Sequence, residues 1–351
     1  MTRTANPIQQ ETPMKPYRAG LVSLTLLAMF LVTASCEKPY HQENERYVFV
    51  AANISLPYWQ EANAGLTDAA HALHVKAEFI GPDSYDPQAE LDAFQKAVAA
   101  HPTGILLSPT RPEIFTSAID DALKQGIPVV TIDSDAPDSR RVLFLATDNL
   151  RAGFESGKHL AELLHDAGNV VVIWLPGQLN EEERMQGATQ ALDGYPRIKI
   201  TQKLDDKGDP RIANDQISAL LEGKEKIDGI LCLEASGGPG AAEVLHRLSL
   251  EGKIIIVAFD KNPETLDQIS DGWIKGTITQ KPYTMAYYGL RFLDDLHHNV
   301  VHEFKDWRTA PASPLPTRVD TGTAWVDKGN VADFRAALAS HTQPLGPPAT
   351  Q

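Results

Sequence analysis

Between residues 47 and 296 short apolar runs alternate with amphipathic ones, and the alternation runs through twice. In the first pass, apolar segments at 47–52, 75–79, 104–107, 128–132 and 142–146 predict strands, with helices at 58–73, 87–100 and 113–125. The helix at 58–73 carries Ala62, Leu66, Ala69, Ala70 and Leu73 on one face, the stripe of a helix that packs on a sheet. Pro87 opens the next helix in its first turn. The second pass predicts strands at 170–175, 198–204, 229–233, 254–259 and 274–279. Helices are expected at 149–165, 181–192, 209–221, 241–248, 266–270 and 284–296. Strands this short and this apolar are covered on both faces, so they lie in parallel sheets with helices outside. The expected class is α/β, with two Rossmann-like lobes, each built on a parallel sheet.

In open sheets of this kind ligands meet the carboxyl ends of the strands, so the residues just after each strand carry the information. After the first strand come Tyr58 and Trp59, two large rings at a helix start. They suit the C–H face of a sugar, and they equally suit core packing. After 128–132 comes Asp133-Ser134-Asp135. Its carboxylates can accept hydrogen bonds from ligand hydroxyls or an amine, can act as an acid–base pair, or can simply make an Asx turn. Asn180 with Glu183 reads as a capping box, and the acidic triplet Glu181-Glu182-Glu183 suits the positive helix end. Arg184, followed by Gly187, either projects into a cleft or sits on the surface.

Glu234-Ala235-Ser236-Gly237-Gly238-Pro239-Gly240 fits neither phosphate-binding glycine fingerprint. It reads as a tight turn presenting Glu234 and Ser236. Asp260 and Gln280 end the last two strands of the second pass. His297, His298 and His302 lack a carboxylate partner pattern and read as solvated helix-end histidines, as do His71 and His74. No metal and no cofactor are expected.

The formal charge is −14. Residues 1–35 carry Arg3, Lys15 and Arg18 against Glu11, a net of +2, so the remainder is near −16. A chain this acidic argues against nucleic acid as a partner. Cys232 lies in an apolar run and reads as a small buried hydrophobe, with no intrachain disulfide.

The N-terminus explains the other cysteine. A basic start at Lys15 and Arg18, an apolar stretch from Leu21 and the run Leu31-Val32-Thr33-Ala34-Ser35 before Cys36 read as a bacterial export signal. The segment resembles a lipoprotein signal, which implies removal of residues 1–35 and lipid on Cys36. Thr33 stands where such signals more often have Leu, and Met14 stands where a shorter signal would start. The alternative is a membrane anchor, for which residues 19–35 are at the short limit. Residues 36–46 read as a polar tether and 342–351 as a disordered tail.

The strand-end landmarks have an order and spacing. They are Pro57-Tyr58-Trp59, Leu106-Leu107-Ser108-Pro109, Pro128 through Asp133, Thr147-Asp148-Asn149, Arg184 with Gly187, Val257-Ala258-Phe259-Asp260 and Thr277-Ile278-Thr279-Gln280. From residue 47 to 326 the chain resembles the type I periplasmic binding proteins of the sugar-binding group, the ribose-binding and autoinducer-2-binding relatives. That resemblance implies two lobes closing on a ligand around a three-strand hinge. It implies a first lobe from 47–147 plus 280–303 and a second from 148–279 plus 304–327. It places ligand contacts at Tyr58, Trp59, Asp133, Ser134, Arg184, Glu234, Asp260 and Gln280, to which the strand-end reading adds Asp135 and Ser236. Three departures stand out: Ser134 where ribose-type members have Arg, Glu234 where they have Asn, and Leu56 where they have Asn. The pocket has thus lost a cation and gained acid. A polyol, a sugar other than ribose or an amine-bearing ligand suits it better than ribose.

The function implied is a solute-binding lipoprotein, held by its lipid in the periplasm or cell envelope, that hands a sugar-like molecule to the permease of an ABC importer. The alternative is a sensor domain for a membrane kinase or chemoreceptor. A transcription repressor of the same fold would need a helix-turn-helix before residue 47, where the export signal stands. No nucleophile, metal set or cofactor loop supports an enzyme.

Overall fold

A computed structural model describes residues 40–298 and 315–341. The export signal at 1–35, Cys36, His302 and the tail at 342–351 lie outside the described residues. Among the described residues, no helix is long and apolar enough to cross a membrane.

The strands form two sheets, as the double alternation requires. The first contains β1 (Arg46–Val50), β2 (Lys76–Ile80), β3 (Gly104–Leu107), β4 (Val129–Ile132), β5 (Phe144–Ala146) and β11 (Arg318–Asp320). The second contains β6 (Ala167–Trp174), β7 (Arg197–Asp205), β8 (Gly229–Cys232), β9 (Ile255–Phe259), β10 (Gly276–Thr279) and β12 (Ala324–Asp327). Their orders, β11-β5-β4-β3-β1-β2 and β12-β10-β9-β8-β6-β7, correspond strand for strand. Every pairing is parallel except β10 with β12. β3, β4, β8 and β10 are buried along their whole length, because helices cover both faces.

Around the first sheet lie α1 (Pro57–Leu73), α2 (Pro87–Ala99) and α3 (Pro112–Lys124). Around the second lie α4 (Asn149–Leu163), α5 (Leu179–Asp193), α6 (Pro210–Glu222), α7 (Gly237–Arg247) and α8 (Pro263–Asp271). The chain crosses between the sheets three times. β5 leads into α4, which packs on α5, β8 and β9. β10 leads back into α9 (Pro282–His297), which packs on α1, β3 and β4. β11 leads across into β12, and α10 (Val331–His341) then follows. The C-terminal segment therefore divides: Arg318–Asp320 joins the first sheet and only Ala324–Asp327 the second. Residues 45–46, assigned to the tether, are already part of the fold, with Glu45 buried and Arg46 in β1.

The exchanged helices pack unusually close. A Cβ on Gly153 of α4 would lie 2.0 Å from the Arg184 carbonyl oxygen of α5, and one on Gly65 of α1 would lie 2.1 Å from the Tyr283 carbonyl oxygen of α9. Only glycine permits either contact.

Three local expectations are corrected. The glycine-rich run is not a tight turn: it forms the first turns of α7, which begins at Gly237. Glu234 accepts hydrogen bonds from the Ser236 N–H at 2.6 Å and from the Gly237 N–H, doing from outside the helix what a cap side chain does. Asn180 is likewise not a cap, because α5 starts at Leu179 and its preceding residue Gln178 makes no capping bond. Cys232 is a buried free thiol, as its apolar run predicts. His298 is not solvated, since its Nε2 lies 3.2 Å from Glu45 Oε2 and 3.6 Å from Asp294 Oδ1.

Candidate functional site

The carboxyl ends of β4 and β9 face each other across the two lobes. Asp133 follows β4 and Asp260 follows β9, the matching strand of the other sheet. Both hold a left-handed backbone, at φ 64° and 67°. Their amides donate to equivalent partners, Leu145 O at 3.0 Å and Ile278 O at 2.8 Å. Asp is one of the few residues other than glycine that takes this conformation at modest cost.

Gln280 follows β10 at a crossover. Its Nε2 donates to Asp260 Oδ1 at 2.9 Å. Its Oε1 accepts from Thr147 Oγ1 at 2.8 Å and from Arg184 Nη2 at 2.8 Å. Thr147 belongs to the first crossover, so two hinge segments and one helix of the second lobe meet at a single amide.

Arg184 is almost fully buried on α5. Its Nε donates to Asn149 Oδ1 at 2.9 Å, and its Nη1 donates to Glu181 Oε1 at 2.7 Å and Leu233 O at 2.8 Å. Its guanidinium lies over the Phe259 ring at 4.8 Å. Burial works against its charge, but Glu181, Asp260 and Asp133 outweigh that and hold it protonated. Of five guanidinium N–H groups, four are committed to the protein and one remains.

Around this cation stand five buried carboxyls, Asp133, Glu181, Asp206, Glu234 and Asp260. Burial raises every one of their pKa values. Asp133 is pushed to about 6, with Arg184 and the Tyr58 hydroxyl opposing the shift. Glu181 is pushed to about 8 against the pull of Arg184, helped by Glu234, Asp133 and Asp260. Asp260 is raised by burial, with Arg184, Gln280 and Lys261 opposing. Asp206 is pushed to about 10 by burial and by Glu234 beside it, and Glu234 is raised by its own burial. Burial thus pushes both members of the pair toward the protonated form.

Tyr58 reaches Asp133, donating to Oδ1 at 2.5 Å, and Asn180 reaches it from the second lobe, donating to Oδ2 at 3.1 Å. The Tyr58 and Trp59 rings stand at 83°, so they form no single flat platform. Trp59 packs edge-on against Phe49 at 6.2 Å within the first-lobe core. An ion pair also spans the lobes, Lys261 Nζ to Glu61 Oε2 at 2.9 Å.

Tyr58, Asp133, Arg184, Glu234, Asp260 and Gln280 thus come together. Asp135 does not join them. Arg141 grips its carboxylate in two bonds of 2.6 and 2.7 Å, and Thr131 and the Ala136 N–H complete it. Ser236 donates to Gly208 O at 3.0 Å, and Ser134 is buried with its hydroxyl unpartnered. Sequence reasoning assigned Asn180 and Glu181 helix-end roles and Asn149 only a place among the landmarks, and it did not single out Asp206 or Tyr85. The Tyr85 hydroxyl is raised well above its usual range by burial, with Asp133, Glu234 and Glu181 adding to the shift, which brings that ring to the same cluster.

Residues 47–298 match the family described as periplasmic binding protein domain. The chain belongs to this family. It is similar to the D-allose-binding periplasmic protein of Escherichia coli strain K12, with 26% identity over 259 residues, 71% of this chain and 83% of the relative. Among solved structures it is similar to the sugar-binding protein of a sugar ABC transporter from Bacillus halodurans. There the TM-score is 0.74 and the identity 36%, covering 83% of this chain and 100% of the other. The arabinose-binding protein AraP of Geobacillus stearothermophilus aligns with a TM-score of 0.69 and 35% identity, over 83% and 99% of the two chains. These relatives are binding proteins and not enzymes, and this chain stands with them. The two-lobed α/β fold with three crossovers is that of the type I members.

Proposed function

We propose that this chain captures a sugar or sugar-like solute between its lobes and delivers it to an ABC importer in the cell envelope. One observation carries the reading: Tyr58 and Asp133 from one lobe, Arg184, Glu234 and Asp260 from the other, and Gln280 at the hinge converge on one buried polar cluster. Such groups offer many hydrogen-bonding partners and little apolar surface, which suits a polyhydroxylated ligand. A ligand touching both lobes binds the closed form better than the open one, and that difference drives closure. The crossovers at Thr147, Gln280 and residues 321–323 are the segments that flex.

The test is thermal unfolding of the full chain with arabinose, ribose, allose, xylose and their alditols. A bound sugar raises the midpoint, by about 2.7 kcal/mol of apparent stability at a hundredfold excess over the dissociation constant. No shift with any of them, nor with amine-bearing sugars, removes the reading.

The anchor is proposed on the signal-like sequence before Cys36. Lipid on Cys36 holds the domain at the membrane that carries its importer. Cys36→Ala is then expected to release a soluble protein or to leave the leader uncleaved. A wild-type chain recovered free and unlipidated speaks against the anchor.

A further inference from the structure

We propose that the sugar taken by this cleft carries an ammonium group and that Glu181 with Asn180 receives it. This rests on the sugar-capture reading above and sharpens it to a ligand class.

Arg184 and Lys261 are the cations that act on the cleft carboxyls, and four of the five N–H donors of Arg184 already serve Asn149, Glu181, Leu233 and Gln280. Arg184 has little left for a ligand. Lys261 is tied to Glu61 and to the Gln280 carbonyl, and Ser134 next to Asp133 brings no charge. Asn149 Nδ2 and Trp59 Nε1 are unpartnered donors nearby, but the buried carboxyls outnumber the cations, so the charge the cleft lacks is positive. Glu181 is 2% exposed; its Oε1 is held by Arg184 while its Oε2 has no partner. Asn180, the preceding residue, is 4% exposed; its amide nitrogen is fixed on Asp133 Oδ2 while its Oδ1 has no partner. Two buried acceptors on consecutive residues of α5 therefore await donors, and the Asn180 bond to Asp133 ties them to the first lobe.

The charged and titratable groups facing Glu181 come from every side. Arg184 shares its helix, Asp133 comes from the end of β4, Glu234 from β8 and Asp260 from β9. Tyr85 and Asp206 also lie within its electrostatic reach. A ligand hydroxyl gives one donor and brings further acceptors into a site rich in them. An ammonium gives three donors, a full charge and no acceptor. Charge-assisted bonds of this kind are the stronger ones, and buried carboxylates are the groups that call for them. The competing solution is a proton on Glu181 with a neutral sugar bound, consistent with the raised pKa of that group.

Calorimetric titration of the detergent-solubilised full chain separates the two. The probes are D-glucosamine, D-galactosamine and 1-amino-1-deoxy-D-glucitol, each beside its neutral parent. D-arabinose, D-ribose and D-allose are included. The expected result is that at least one amine binds tighter than its parent and than any neutral sugar, by about tenfold or more. Binding of the amino alditol strengthens from pH 6 to pH 8, and buffers of different ionisation enthalpy report protons released from the cleft. Glu181→Gln keeps an acceptor for Arg184 and removes the charge, and it lowers the amine-over-neutral ratio by about tenfold. A neutral sugar that binds as tightly as any amine, or a Glu181→Gln ratio equal to wild type, overturns the ammonium assignment and leaves sugar capture standing. Failure of every probe to bind overturns both.

Discussion

Asp133 and Asp260 are the same residue of two halves: each is the first residue past matching strands, and each has a left-handed backbone, at φ 64° and 67°. Each carboxylate is also drawn toward the one guanidinium, Arg184, which opposes the effect of burial on both. A repeat that places one carboxylate at the lip of each lobe builds a clamp before any other side chain is specified.

That backbone separates two roles in Asp133. Asp133→Gly relaxes the left-handed position, whereas Asp133→Ala strains it by about 1 kcal/mol. Both lose the acceptor for Tyr58 and Asn180. The expectation is that sugar binding falls equally in the two variants while Asp133→Ala melts lower. Calorimetry and thermal unfolding on the pair check this, and binding retained in the glycine variant would show that the carboxylate is not a ligand contact.

The approach of α4 to α5 leads to a second expectation. In Gly153→Ala the new Cβ would meet the Arg184 carbonyl oxygen at 2.0 Å, so α5 must shift and carry Arg184 with it. Gly65→Ala makes the same demand on α1 and α9, at 2.1 Å from Tyr283 O, without touching Arg184. Both variants lose about 1–3 kcal/mol of stability, the scale of overpacking. Affinity drops further in Gly153→Ala. Equal affinities would show that the helix contact does not position the guanidinium.

Glu90 gives a pH prediction away from the cleft. It is buried on α2, accepts two bonds from Thr110, and burial pushes its pKa to about 8. The native state then holds a proton that the unfolded chain releases near pH 4.5. Stability therefore falls as pH rises through the window from about 4.5 to about 8. Glu90→Gln removes that slope. Its melting temperature relative to wild type is expected to be higher at pH 9 than at pH 5. A relative shift that is the same at both pH values contradicts the buried, protonated state.

The strand-and-helix alternation was legible because burial on two faces writes itself as continuous apolar runs. Asp133, Asp260 and Gln280 were legible because a strand end fixes where its next residue points. Glu181 and Asn180 were hidden, since an acidic, amide-bearing helix start also describes ordinary capping. Nothing local reveals that α5 begins two residues earlier and turns both side chains inward. Asp135 shows the reverse. It has the same strand-end signature as Asp133, but Arg141 folds back on it in a bidentate pair that only the tertiary structure discloses. Asp206 is the first residue past β7 and so carries the same strand-end signal as Asp133, which sequence reasoning did not use, whereas Tyr85 enters from the connection after β2 with no periodic pattern.

Arg184 is the residue whose removal tests the whole arrangement. With Arg184→Ala, Glu181 and Gln280 lose their common donor and the cleft keeps its carboxyls without the guanidinium at their centre. Asp133 and Glu181 have pKa values pushed to about 6 and about 8, so at pH 5 they can stay protonated and the fold tolerates the change. At pH 8 the same groups are driven to ionise in a buried site, and the loss approaches about 3–5 kcal/mol, the cost of breaking a buried pair. Arg184→Lys keeps a charge but cannot span Asn149, Glu181, Leu233 O and Gln280 at once, so it recovers stability better than it recovers binding. Thermal unfolding at the two pH values reads the first effect. Small-angle scattering with a bound sugar reads the second: wild type compacts and Arg184→Ala does not. An Arg184→Ala protein that binds and compacts like wild type would detach the guanidinium from ligand capture, and closure would then have to be driven by Lys261 and Glu61 at the cleft margin.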